Sequence, residues 1–272
     1  MFNANVGLPC IFVAMKLLRI LCFFLSIPMG VCAQLEDNAP RLVLHDRERV
    51  IHLGFQTNGW GIGTDFYTKG KDAFTFWKWG ADLQFYRHEK EVKSFSQDPQ
   101  ARAYYFGKEN SLFLFRPGLG MNHEFAEKIR KSGVQLSYFW TIGPDLGFVK
   151  PVYLQILYPS TIPGRYELRA EKFDPNLHYI DNIYGRAPNL MGLNETKLQL
   201  GMFFKGGLRF EYSNHETSMK GAEIGISADV FPKRIEIMSQ EVLDRYHDHA
   251  KNHFLFLAPY VKFFFGTKYD RK

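Results

Sequence analysis

Between residues 197 and 231 the sequence alternates two residue sets with a period of two. Leu198, Leu200, Met202, Phe204, Leu208, Phe210 and Tyr212 are apolar or aromatic, with Gln199, Gly201, Lys205, Gly207, Arg209 and Glu211 between them. After a short polar stretch, 213–218, the pattern resumes. Ala222, Ile224, Ile226, Ala228 and Val230 share one parity, and Gly221, Glu223, Gly225, Ser227 and Asp229 share the other. Period two places the sets on opposite faces of a strand. One face is apolar throughout; the other carries charges of both signs and glycines. That division suits a sheet with lipid outside and a tight polar interior, as in a transmembrane β-barrel.

Composition agrees with this reading. The chain has 272 residues, 26 of them Phe and 14 Tyr, yet its mean hydropathy is −0.24. A helical membrane protein needs apolar runs of about 20 residues, and none follows the N-terminal region. In a barrel, lumen residues dilute the lipid-facing ones.

The N-terminal region reads as an export signal over 1–33, with Met15 as the expected true start. Lys16 and Arg19 form a basic segment, 17–27 an apolar one, and Val31-Cys32-Ala33 resembles a small-residue cleavage site. A membrane anchor would need a longer apolar run, and Val31 disfavours lipidation at Cys32. Cleavage would remove all three cysteines, Cys10, Cys22 and Cys32, and with them disulfides and thiol catalysis. The net charge of +6 is dispersed, so no nucleic-acid footprint is expected.

A lead-in is expected over 34–48 and a barrel over 49–268. The other strands follow the same alternation. Ile51, Leu53 and Phe55 precede Asn58-Gly59, a strong two-residue hairpin signal. Strands are predicted over 60–68, 73–88, 111–125, 133–142, with a break at Gly143-Pro144 and a possible resumption over 152–157, and 253–268. Eight antiparallel strands result, with short turns at 69–72, 126–132 and 213–218 and long loops at 89–110, 158–196 and 232–252. With both termini in the periplasm, the short turns are periplasmic and the long loops external, as in outer-membrane barrels. The expected surroundings are outer-membrane lipid and lipopolysaccharide.

The inward parity carries Asp65, Lys78, Asp82, Arg116, Glu124, Lys205, Arg209, Glu211, Glu223, Asp229 and Lys262. Eight strands enclose only enough space for side chains, and buried charges need partners. A salt-bridged plug is therefore expected, not a pore. Trp60, Trp77, Trp79, Tyr138 and Trp140 are candidates for interfacial aromatic belts.

No catalytic residue, metal or cofactor is expected. His247-Asp248-His249, with Asp244 and His253, is histidine-rich, but zinc needs three or four ligands on fixed geometry, and a solvated loop is the simpler reading. Ser137, Ser160 and Ser213 have no spacing that ties them to a histidine. Gly59-Trp60-Gly61-Ile62-Gly63 lies in a strand hairpin, not between strand and helix, so it is not a nucleotide fingerprint. In the longest loop Arg165, Arg169, His178, Tyr184, Arg186 and Pro188 are candidates for binding a partner.

Further segments carry a resemblance: Lys150-Pro151-Val152-Tyr153-Leu154, Phe173-Asp174-Pro175, His178, Ile183-Tyr184-Gly185-Arg186-Ala187-Pro188, Gly207-Leu208-Arg209-Phe210-Glu211 and Ala228-Asp229-Val230-Phe231-Pro232, with Ile237-Met238 beyond. Over residues 54–266 the chain resembles a family of small outer-membrane β-barrel proteins of Bacteroidota that carries no assigned activity. The resemblance implies loops folded into a defined surface. It also implies a docking role, since small barrels of that phylum serve as accessory subunits of barrel-assembly and type IX secretion machines. Other outer-membrane proteins or lipoproteins are then the expected partners. A lipid A-modifying hydrolase and a narrow channel are the alternatives.

Overall fold

The computed structural model describes residues 46–72, 74–96, 98–126, 133–162, 165–212, 217–246 and 252–269. The leader expected over 1–33, the basic turn at Lys128–Lys131 and the His247-Asp248-His249 cluster lie outside these residues.

Along the chain run β1 (Arg47–Gln56), β2 (Gly59–Lys69), β3 (Thr75–Tyr86), β4 (Lys93–Ser94), β5 (Tyr104–Tyr105), β6 (Asn110–Ala126), β7 (Gln135–Pro151), β8 (Tyr153–Pro159), β9 (Tyr166–Lys172) and β10 (Ile183–Arg186). A 3-10 turn (Leu193–Glu195), β11 (Lys197–Glu211), β12 (Ser218–Val230), helix α1 (Gln240–Tyr246) and β13 (Leu255–Tyr269) complete it. Eight strands close into a barrel in the order β1-β13-β12-β11-β7-β6-β3-β2, every neighbouring pair antiparallel. Closure leaves no unpaired edge, as a lipid environment demands.

The alternation read in the sequence is the alternation of the wall. On β11, Leu198, Leu200, Met202, Phe204 and Leu208 are exposed outside, while Phe203, Lys205, Arg209 and Glu211 are buried inside. On β12, Ile224 and Ile226 point out, and Glu223, Ser227 and Asp229 point in.

Three boundaries depart from the sequence reading. The first strand starts at Arg47, so Glu48, assigned to the lead-in, is an inward and buried barrel residue. The first hairpin turns at Thr57-Asn58, because Gly59 already pairs with Gln56. Gly59 has φ +150, and a Cβ there would lie 1.8 Å from the Phe85 carbonyl oxygen, so only glycine fits. The third departure is Gly143-Pro144. It does not end a strand; β7 runs through it to Pro151. Pro144 stays paired with Met202 on one side. On the other side the β6–β7 pairing lapses between Phe115↔Leu146 and Leu119↔Ile142, around Pro117 and Pro144, which lack an N–H to give. The β7–β11 ladder carries the strand across that gap.

The long connections are folded. The segment 158–196, expected as a long loop, contributes two strands that join β8 in a three-stranded sheet of order β10-β8-β9. Tyr104, Leu154, Ile156, Phe173, Ile183 and Val242 form its apolar core, drawing on three different connections. Helix α1 lies between two cores: Val242 packs in the loop core, and the adjacent Leu243 packs with Leu112, Leu114, Phe231, Ile235, Ile237, Met238 and Phe256. This second cluster is an apolar cork seated on the inward ends of the barrel strands.

Candidate functional site

Beneath the cork the lumen is a stack of ion pairs. Arg116 gives a 2.8 Å hydrogen bond to Asp229 and a 2.7 Å one to Gln84. Tyr86 gives another, of 3.1 Å, to Asp229. Lower down, Lys205 pairs with Asp82, and His52 bridges Asp82 at 2.6 Å and Asp65 at 3.3 Å. Asp65 also meets Lys78 at 3.0 Å and Lys262 at 3.1 Å. Lys262 reaches Glu223 at 2.6 Å. Arg209 lies between the Tyr67 and Phe264 rings, 4.5 and 4.3 Å from their centroids, with Glu48 at 3.6 Å. Nearest the short turns, Lys268 joins Glu211 at 3.0 Å and Glu48 at 3.7 Å. Glu124 is inward and half-buried on β6.

His52, Asp65 and Asp82 offer ligand atoms within 4.8 Å of one another, the one such trio among the described residues. The chemistry around them is wrong for a cation. Lys78, Lys262 and Lys205 already occupy the two carboxylates, and a metal would have to displace ammonium groups held in a buried cage. A cavity of about 20 Å³ beside Gln84, Arg116, Lys205 and Tyr260 is the space left at this level, room for roughly one water.

Sequence reasoning missed Glu48, Asp145 and Lys268 as members of this interior, and it gave the inward His52 and Gln84 no partner there. Each sits on the inward parity of its strand. Asp145 lies just beyond the expected break at Gly143-Pro144, and Glu48 precedes the first apolar alternation.

The aromatic candidates all lie on the outer wall. Trp60 stacks on Phe85 at 4.5 Å near the first hairpin. Trp77, Trp79, Tyr138 and Trp140 lie toward the short turns, with Trp77 and Trp140 both opposite Met121. Two levels of large aromatic rings thus bracket the exposed aliphatic band.

The six loop candidates separate. Arg165 and Arg169 are exposed; Arg169 lies over the Tyr158 ring at 5.3 Å and pairs with Glu167 at 3.2 Å. Tyr184 donates to Asp98 across 2.9 Å, tying the 86–110 connection to β10. Arg186 and Pro188 line a cleft of about 640 Å³. His178 is a correction: it is 2 % exposed, so it is closed to a partner. Its Nδ1 accepts the Asp174 N–H at 2.9 Å, and its Nε2 lies 3.4 Å from Glu171, which is a turn-stabilising role. Charge follows burial here. Desolvation pushes the Lys108 ammonium down although Glu91 lies 2.7 Å away. Burial pushes the Glu109 carboxyl and the Tyr104 phenol up. The Gln100 N–H and then the Tyr184 hydroxyl hold Asp98 below the usual carboxylate range.

No protein-family model matches the chain, and no curated protein matches it. Solved barrels of the outer-membrane type resemble it in fold. Neisserial surface protein A is 7% identical over 82% of this chain and 94% of its own, with a TM-score of 0.35. Ail, the attachment invasion locus protein of Yersinia pestis, is 8% identical over 82% and 95%, at 0.35. The N-terminal β-barrel domain of Pseudomonas aeruginosa OprF is 9% identical over 81% and 98%, at 0.32.

Proposed function

We propose that this chain is an integral outer-membrane barrel that acts as a non-enzymatic docking subunit of a larger outer-membrane assembly, of the barrel-assembly or secretion kind, with its termini in the periplasm. One observation carries the reading: the long connections build a small folded body whose surface exposes large apolar side chains. Tyr166 and Leu168 of β9 are 67% and 50% exposed, and Leu177, Ile180 and Leu190 are more than half exposed. Residues that need only to be soluble do not spend a buried apolar core on holding such groups in place; exposed apolar patches on a rigid frame mark protein contacts. The two levels of aromatic rings suit the two interfaces of a bilayer, and the stacked lumen favours structure over passage.

The hydrolase alternative finds little support. Ser160 donates to Glu167 at 3.2 Å, and Ser137 lies in the lumen toward the short turns, away from His178 in the loop body. Serine 213 lies outside the described residues.

Purification from the native membrane in mild detergent tests the docking reading. We expect larger barrels or lipoproteins to come with the tagged chain in fixed stoichiometry. Tyr166→Glu with Leu168→Glu, which leaves the loop core untouched, should release them. A chain that purifies alone under conditions that preserve other membrane assemblies contradicts docking.

A further inference from the structure

The 640 Å³ cleft lies on the outside of the wall, where the loop body overhangs it. Its floor is Leu83, Phe113 and Phe148, three outward residues on adjacent strands. Phe113 and Phe148 face each other across the β6–β7 ladder, and one outward step nearer the loops Ser111 faces Lys150. Two residues of strand are about 7 Å. The floor therefore continues the apolar band, and Lys150 stands at its upper rim. Arg186, at the end of β10, and Lys108 complete that rim.

These three cations are not equivalent. Lys108 is committed to Glu91. Among the described residues neither Lys150 nor Arg186 has an acidic partner, and the Arg186 Nε is a buried donor with no acceptor. A buried donor without an acceptor is costly unless something supplies one. Two uncompensated cations over an apolar floor, at its end nearer the loops, call for a ligand that is anionic at one end and apolar at the other.

We propose that this cleft holds the phosphorylated head group of a membrane lipid, with Lys150 and Arg186 on the phosphate and the upper acyl carbons against Phe113 and Phe148. The guanidinium fork matches phosphate oxygens, and the ammonium adds a point charge beside it. A free phosphate would use the rim and leave the apolar floor wet. An acyl chain covers that floor while remaining continuous with the bilayer. The proposal rests on the barrel lying in a membrane and not on docking, so a chain that purifies without protein partners leaves it standing.

The test uses the full chain in phosphatidylcholine nanodiscs doped either with bis-phosphorylated lipid A or with the same lipid after removal of its phosphates. Bound lipid is counted by native mass spectrometry. We expect the chain to retain the phosphorylated form at least about tenfold over the dephosphorylated one, as charge-assisted contacts to phosphate require. Lys150→Gln with Arg186→Gln should abolish that preference. Lys233→Gln with Arg234→Gln, which removes the same charge from exposed positions outside the cleft, should keep it. Equal retention of both lipids by the unmodified chain overturns the proposal. So does a preference that survives the Lys150/Arg186 change, or displacement of the lipid by inorganic phosphate alone. A gel-shift check on unheated samples confirms barrel closure. If the double variant does not close, Lys150→Gln alone is read in its place, and an unreduced preference there also contradicts the proposal.

Discussion

Arg116 is the largest fully enclosed side chain of the described residues, at 1% exposure. Its charge is tolerable because Asp229, Gln84 and Ser227 surround the guanidinium. Removing one partner of a buried pair strands the other charge, which costs about 3–5 kcal/mol. Arg116→Met is expected to destabilise the barrel by about that amount in urea unfolding from lipid vesicles. Adding Asp229→Leu should restore most of the loss, since paired ions and packed apolar groups of like volume are often close in stability. A loss near zero in the single variant would mean that Asp229 finds another cation. The inward parity made these residues legible in the sequence, because a charge on that face has nowhere else to go in so narrow a barrel. Which acid meets which base was not legible, since Arg116 and Asp229 are 113 residues apart and their meeting depends on strand order and register together.

At the scale of the element, the first hairpin is the tightest constraint. Gly59 sits at φ +150 against the Phe85 carbonyl. Gly59→Ala is expected to cost roughly 1–3 kcal/mol through strain and a displaced strand, read as slower folding and a lower midpoint of unfolding. An unchanged midpoint would show that the turn relaxes elsewhere. The barrel strands could be read from the sequence because each carries its own period-two signal. The loop body could not. Its sheet joins β8 to segments 7 to 32 residues on, in short strands where alternation is weak, as the pairs Pro159↔Tyr166 and Leu154↔Arg186 show. Helix α1 has seven residues, too few for a helical period to stand out. Pro144 misled for a local reason: a proline argues against a central strand, but its neighbour β11 supplied the pairing that β6 could not.

For the molecule as a whole, the closed wall, the ion-paired lumen and the apolar cork belong to one design, in which eight strands carry a folded head over a packed interior. The sheet's faces are sorted, with exposed apolar side chains outside and a packed polar interior within. Docking and lipid binding both depend on that sorting. It is tested most directly by placing a nitroxide in turn at each position from 198 to 209 on β11, in the lipid-reconstituted chain, and measuring collision with oxygen. We expect accessibility to rise and fall with period two, high at Leu198, Leu200, Met202, Phe204 and Leu208 and low at Phe203, Lys205 and Arg209. A flat profile, or even-numbered positions that respond instead to a water-soluble relaxation agent, would contradict a lipid-facing wall.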